Sequence, residues 1–227
     1  MSRNMFRVAM LLCITAALAV SLGCGKPVNV EKPIPVSTPQ AQKPVEPPAK
    51  LPPPAPAEVE SAIGRIFGND LVLERTGQWF IVGDFNGDSY EDVAVIARVN
   101  ASKLDDINGE LANWTIQDAD KFFVPPSGKR VVQLPHFDPV KLNKGEEILA
   151  IIHGYGPKGW RNPDARQAYL VRHAAASFAG LAPSISVKSI RAMRLPIQTE
   201  MIKEIRNNKK GFLFWTGGAY AWHPDES

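Results

Sequence analysis

An α+β fold, rich in β-structure and built mainly of antiparallel sheet, is what this sequence predicts, and three observations carry that reading. Short apolar runs of strand length recur along the chain, punctuated by Gly, Asn, Asp and Pro. One amphipathic stretch precedes those runs and a second follows near the C-terminus, each the length of a short helix. Of the 227 residues, the first 58 show no pattern that would build a core, which leaves residues 59–227 as one domain. That length buries a core without disulfide or metal staples.

Residues 58–67 open the domain as a helix. Val59, Ile63, Ile66 and Phe67 share a face, Glu58 and Glu60 sit in the first turn, and Gly68 supplies the stop. A strand follows at 71–74 and a turn at Gly77. Residues 79–99, WFIVGDFNGDSYEDVAVIARV, then place two strand-like runs on either side of an acidic turn. Residues 100–128 are less regular, with Leu104, Ile107, Leu111, Trp114 and Ile116 marking short buried segments. Further strands are expected at 130–134, 147–153 and 167–172, the last two separated by a glycine-dense loop over 154–161. Residues 197–207 predict the second short helix, burying Ile197, Met201, Ile202 and Ile205. The chain closes as a hairpin, 211–215 and 219–222, turning at Thr216-Gly217-Gly218.

The head of the chain has a different purpose. Residues 1–7 are basic and residues 8–22 form an apolar run of about 15 residues, the form of a signal peptide and too short to span a bilayer comfortably. Val20-Ser21-Leu22-Gly23-Cys24 resembles the lipobox of bacterial lipoproteins, with Ser21 standing where that family prefers Leu. The resemblance implies that residues 1–23 are removed, that Cys24 carries the lipid and that the protein attaches to a membrane of the cell envelope. The plainer alternative is an ordinary signal peptide cut at a small-residue site. Gly25 after the cysteine, where an Asp would favour the inner membrane, points to the outer membrane in a cell that has one.

Residues 24–58 are rich in Pro, including Pro52-Pro53-Pro54, and have no aromatic residue. They read as a tether of polyproline character, which at ~3.1 Å per residue reaches on the order of 100 Å. The only cysteines are Cys13 and Cys24, so the domain has no thiol for a disulfide, a zinc site or a nucleophile. Net charge is +3, with Arg3 and Arg7 in the leader, and such a balance gives no argument for nucleic acid.

The acidic turn is the strongest chemical signal. Asp84, Asn86 and Asp88 alternate, the Tyr90 main-chain carbonyl comes next and Asp92 closes the set, an all-oxygen series of the kind a calcium ion takes. An EF-hand is a poor description, since Ser89 and Val95 stand where its Gly and Glu belong. The alternative is a bare hairpin bent at Asn86-Gly87, but four acidic side chains within residues 84–92 repel one another.

GDFNGDSYEDVAV resembles the calcium loop of FG-GAP and VCBS-type repeats. That resemblance implies one Ca2+ site with Asp84, Asn86, Asp88, the Tyr90 carbonyl and Asp92 as ligands. Ser89 departs from the Gly usual there, and a positive φ at Ser89 would cost about 1 kcal/mol. The nearest echo, residues 139–151, carries Pro139 and Lys141 where ligands belong, so the loop is solitary. A propeller needs at least four blades, and the domain is too short for a complete one.

Catalytic signals are weak. His136, His153, His173 and His223 show no metal-ligand spacing and no nucleophile motif occurs. The expected function is a non-enzymatic binding or structural module, whose partner is an envelope polymer or another envelope protein. Trp160, Arg161, Trp215, Tyr220 and Trp222 are the candidate ligand surface, and aromatic core is the alternative for those side chains. A hydrolase of envelope polymer, acting near loop 154–161 with His153, Asp164 and His173, is the alternative from a different class.

Overall fold

The computed structural model describes residues 51–109, 111–121, 138–174, 177–187 and 199–225. The leader, Cys24, most of the tether and the strand expected at 130–134 lie outside the described residues.

Helix α1 (Pro56–Phe67) starts with Pro56 in its first turn, where the missing N–H removes no helical bond. The Glu58 carboxylate accepts the Ala55 amide at 3.0 Å, and Gly68 ends the helix at a φ of 57°. Val59, Ala62, Ile63 and Phe67 form its buried face.

Ten strands among the described residues form two open sheets. The first contains β1 (Leu71–Leu73), β2 (Phe80–Gly83), β3 (Asp92–Val99), β4 (Thr115–Asp118), β5 (Glu147–Ile152) and β6 (Ala168–Arg172), in the order β1-β3-β5-β6-β4. β2 and β1 share one edge of β3 in succession, and every pair is antiparallel except β4 with β6. β7 (Ser177–Pro183), β8 (Glu200–Arg206), β9 (Lys209–Trp215) and β10 (Tyr220–Pro224) form the second sheet, all antiparallel, in the order β10-β9-β8-β7.

The layers follow from side-chain alternation. Val93, Val95, Ala97, Ile148, Ala150 and Leu170 face α1, whereas Ala94, Ile96, Leu149, Ile151 and Val171 face Ile202, Leu213 and Tyr220 of the second sheet. The first sheet is therefore the middle layer. Because both its faces are covered, β3 is buried at every position but Arg98 and shows no polar alternation.

The second short helix, expected at 197–207, is strand β8 instead. Met201 and Ile202 fall on opposite faces of a sheet that buries both, a pattern that a helical spacing also fits. The turn decides the matter: Asn207 and Asn208 have φ values of 50° and 62°, the paired left-handed conformation of a tight hairpin, and β8 runs through it into β9. The echo at 139–151 supplies strand β5 only. Before it, the Glu146 carboxylate accepts the Asn143 main-chain and side-chain amides at 2.8 and 2.9 Å in a plain turn.

Pairing of Val93 with Ile152 brings two connections to the same end of the middle sheet. One is the acidic turn before β3; the other is the glycine-dense loop after β5.

Candidate metal centre

Residues 84–91 join β2 to β3 above the Gly83–Asp92 pair. The loop wraps around the Asp84 carboxylate, whose Oδ1 accepts the Gly87 and Asp88 amides at 2.8 and 3.1 Å and whose Oδ2 accepts that of Ser89 at 3.0 Å. Asn86 donates Nδ2 to Asp88 Oδ2 at 3.0 Å and accepts the Asp88 amide on Oδ1 at 3.0 Å. Asp88 Oδ1 in turn accepts the Tyr90 amide at 2.8 Å. This winding requires Gly87 at φ 81° and Ser89 at φ 70°, so Ser89 does adopt the positive φ.

Asp92 lies behind the loop with no exposed surface. Its Oδ2 accepts the Phe85 and Asn86 amides at 2.7 and 3.2 Å, and its Oδ1 accepts the Gly154 amide at 2.7 Å. Burial pushes the Asp92 carboxyl up to about 8; the Gly154 and Phe85 amides oppose that, and the Asp88 and Asp84 charges add to it. Asp84 is also raised, chiefly by burial, with the Asp88 charge contributing in the same direction. Both carboxyls are thus shifted in the direction that a nearby positive charge would oppose.

Around this loop the packing is close. A Cβ on Gly154 or Gly159 would stand 2.4 or 2.5 Å from the Glu91 carbonyl oxygen, so only glycine lets loop 154–161 approach. That carbonyl accepts the Trp160 amide at 2.8 Å, and the Glu91 carboxylate accepts Trp160 Nε1 at 2.9 Å and Arg161 Nη1 at 2.6 Å. Arg161 also donates to the Pro52 carbonyl at 2.9 Å and lies 3.5 Å from Glu58, at the start of α1. On the other flank Glu200 of β8 accepts the Asp84 amide at 3.0 Å and returns its own amide to the Asp84 carbonyl at 2.9 Å.

The donor set, all oxygen and partly buried, suits calcium, but its carboxylates are not drawn into a tight cage. Among the described residues, the one trio of carboxylate or imidazole ligand atoms within 4.8 Å of one another is Asp118, Asp120 and His173, a group that could hold a metal ion. Asp118 is buried at the end of β4, and its Oδ1 meets His173 Nδ1 at 2.7 Å. Arg206 already donates to Asp120 Oδ1 at 2.7 Å and to the His173 carbonyl, so a cation there competes with a guanidinium. This trio was not legible in the sequence, because 55 residues separate Asp118 from His173 and only the parallel pairing of β4 with β6 joins them.

Three of the other expected site residues land in the core. Trp160, Trp215 and Tyr220 are buried, Arg161 is held by its carboxylates, and Trp222, part-buried, lies under the Arg206 guanidinium at 4.2 Å. They do not form an exposed platform; the structure shows the core alternative for the three buried rings. Nor do the histidines assemble with Asp164. His153 follows β5 and His173 follows β6, and because these strands are antiparallel the two lie at opposite ends, about 20 Å apart at strand rise. His153 is buried, its Nε2 2.7 Å from the Tyr220 hydroxyl and its ring packed against Tyr169 and Trp215. Comparisons with protein-family models, with curated proteins and with solved structures find no match to this chain.

Burial holds the His153 imidazole down at about 4, well below its ordinary 6.5. The unfolded chain therefore takes up a proton at this residue between about 6.5 and 4 that the folded chain refuses, and stability falls as pH drops through that window. The effect is at most about 3 kcal/mol. His153→Gln, which keeps a polar partner for Tyr220, is expected to flatten that acid slope in urea unfolding at about pH 7 and about pH 4.5. An unchanged slope would show that other groups carry it.

Proposed function

We propose that this chain is a lipid-anchored protein of a bacterial cell envelope. In this reading Cys24 carries the lipid, the Pro-rich tether sets the domain off the membrane, and the domain is a non-catalytic binding or structural module stiffened by one calcium ion in loop 84–92. The observation that carries the calcium part is the loop itself, where Asp84, Asn86 and Asp88 are wound together over the fully buried Asp92.

The electrostatics support it. Burial and mutual repulsion raise the Asp84 and Asp92 carboxyls, and a divalent cation reverses both effects by supplying the opposing charge. Calcium–oxygen distances of about 2.3–2.6 Å mean that the ion draws the three carboxylates closer together. What the ion tightens is connected to the whole domain, since residues 84–92 bond to β8 through Glu200 and to loop 154–161 through Glu91 and Asp92.

The test is a melting scan of the full chain in detergent, with calcium and with chelator. Binding to the folded state alone raises stability by about 2.7 kcal/mol at a hundredfold excess over Kd. The shift is expected to vanish in Asp84→Ala and in the exposed Asp88→Ala, and to persist in Asp118→Asn. Below pH of about 8 the ion must displace a proton at Asp92, so affinity is expected to rise as pH approaches that value. No shift at any calcium concentration, or a shift lost only in Asp118→Asn, would sink the loop assignment. For the anchor, Cys24→Ser is expected to move the protein from the membrane fraction to the soluble one; retention at the membrane argues against lipidation.

A further inference from the structure

A cleft of about 440 Å³ opens at the edge of the two sheets, where β7 begins beside the far end of β3, away from loop 84–92. Its construction follows from strand register. Ile96 and Arg98 point to the same face of β3, Arg98 is paired with Glu147 across β5, and the β1–β2 connection brings Glu74 and Gln78 to the rim. Phe178 of β7 packs against the apolar cluster that contains Ile96, and both line the cleft, giving it an apolar floor.

The wall is a triad of charges. Arg98 donates Nε to Glu74 and Nη2 to Glu147 at 2.8 Å. Those bonds engage one oxygen of each carboxylate and two of the five guanidinium N–H groups. Donors and acceptors therefore alternate along one wall with capacity left over. As a stabilising element this triad is worth little, being half open to water. A flat surface would serve that purpose as well, and the concavity with an aromatic floor is what needs another explanation.

We propose that this cleft binds a neutral polyhydroxylated ligand, a saccharide ring. Vicinal hydroxyls match the wall, because each can donate to a carboxylate oxygen while accepting from a neighbouring guanidinium N–H. The C–H face of a sugar ring matches Phe178 and Ile96. Two carboxylates against one guanidinium leave the wall negative, which disfavours phosphates and acidic sugars. The size lies within the range of small-ligand sites, and the mix of apolar floor and few convergent polar groups is the usual construction of one. The inference is independent of the calcium reading, since no residue of the cleft belongs to loop 84–92.

The test titrates the full chain in detergent with a tetramer of N-acetylglucosamine, with a β-linked glucose tetramer and with inorganic phosphate, read by calorimetry. Saturable binding of at least one oligosaccharide and none of phosphate is expected. Affinity is expected to fall at least about tenfold in Arg98→Met and in Phe178→Ala, a loss of about 1.4 kcal/mol. Arg98→Lys keeps the charge but loses the fork, and should also bind weakly; a melting scan of each variant confirms that it is folded. Absence of saturable binding by both oligosaccharides, phosphate binding in their place, or undiminished affinity in both Arg98 variants would overturn the proposal.

Discussion

The Asp92 carboxylate receives three main-chain amides from two separate connections, and much of the domain is arranged so that it can. It opens β3, a strand of the middle sheet buried at every position but Arg98, and itself has no exposed surface. Phe85 and Asn86 reach it from the acidic turn and Gly154 from the loop after β5. An isolated buried carboxylate is costly, and here the peptide groups it accepts would be equally costly to leave unpaired. Each side of the contact therefore requires the other, which fixes where the two loops lie.

From that point the constraint spreads by neighbouring residues. Glu91, one position before Asp92, gathers Trp160 and Arg161, and Arg161 continues to the Pro52 carbonyl where the tether meets α1. Asp84 is clasped by Glu200 at the start of β8. Close approach to the Glu91 carbonyl excludes any side chain at Gly154 and Gly159. The acidic turn is thus the place where helix, middle sheet and second sheet are all tied. A cation bound there would act on the connections among layers, well beyond a single hairpin. The cleft at the other end of β3 stands clear of these ties and has its own chemistry.

Much of the fold was legible in the sequence because its strands are short, strongly apolar and separated by turn residues, as at 147–152 and in the closing hairpin. Helix α1 was legible from its single apolar face and the glycine stop. The missed element, β8, failed for a definite reason: burial on both faces erases the period-two signal, and the paired asparagines that make the hairpin turn lie outside the strand itself. For the candidate site, spacing and the family resemblance singled out Asp84, Asn86, Asp88 and Asp92. They could not show that Asp92 is buried or that Glu91 binds Trp160, since those contacts span 62 and 69 residues. The aromatic residues of the closing hairpin carry no mark in the sequence that separates a ligand platform from a core; the second sheet settles it by burying Trp215 and Tyr220 against the middle one.

The central claim is that Asp92 is first an internal acceptor holding two loops together, whatever ion the turn takes. Denaturant unfolding of Asp92→Asn and Asp88→Asn in chelator, at a pH of about 9 where the Asp92 carboxyl is ionised, tests it most directly. An asparagine at 92 must set an NH2 group against either the Gly154 or the Phe85 amide, and the account predicts a loss of about 2 kcal/mol or more. Asp88, exposed, should lose no more than about 0.5 kcal/mol. Equal and small losses in the two variants would contradict the account.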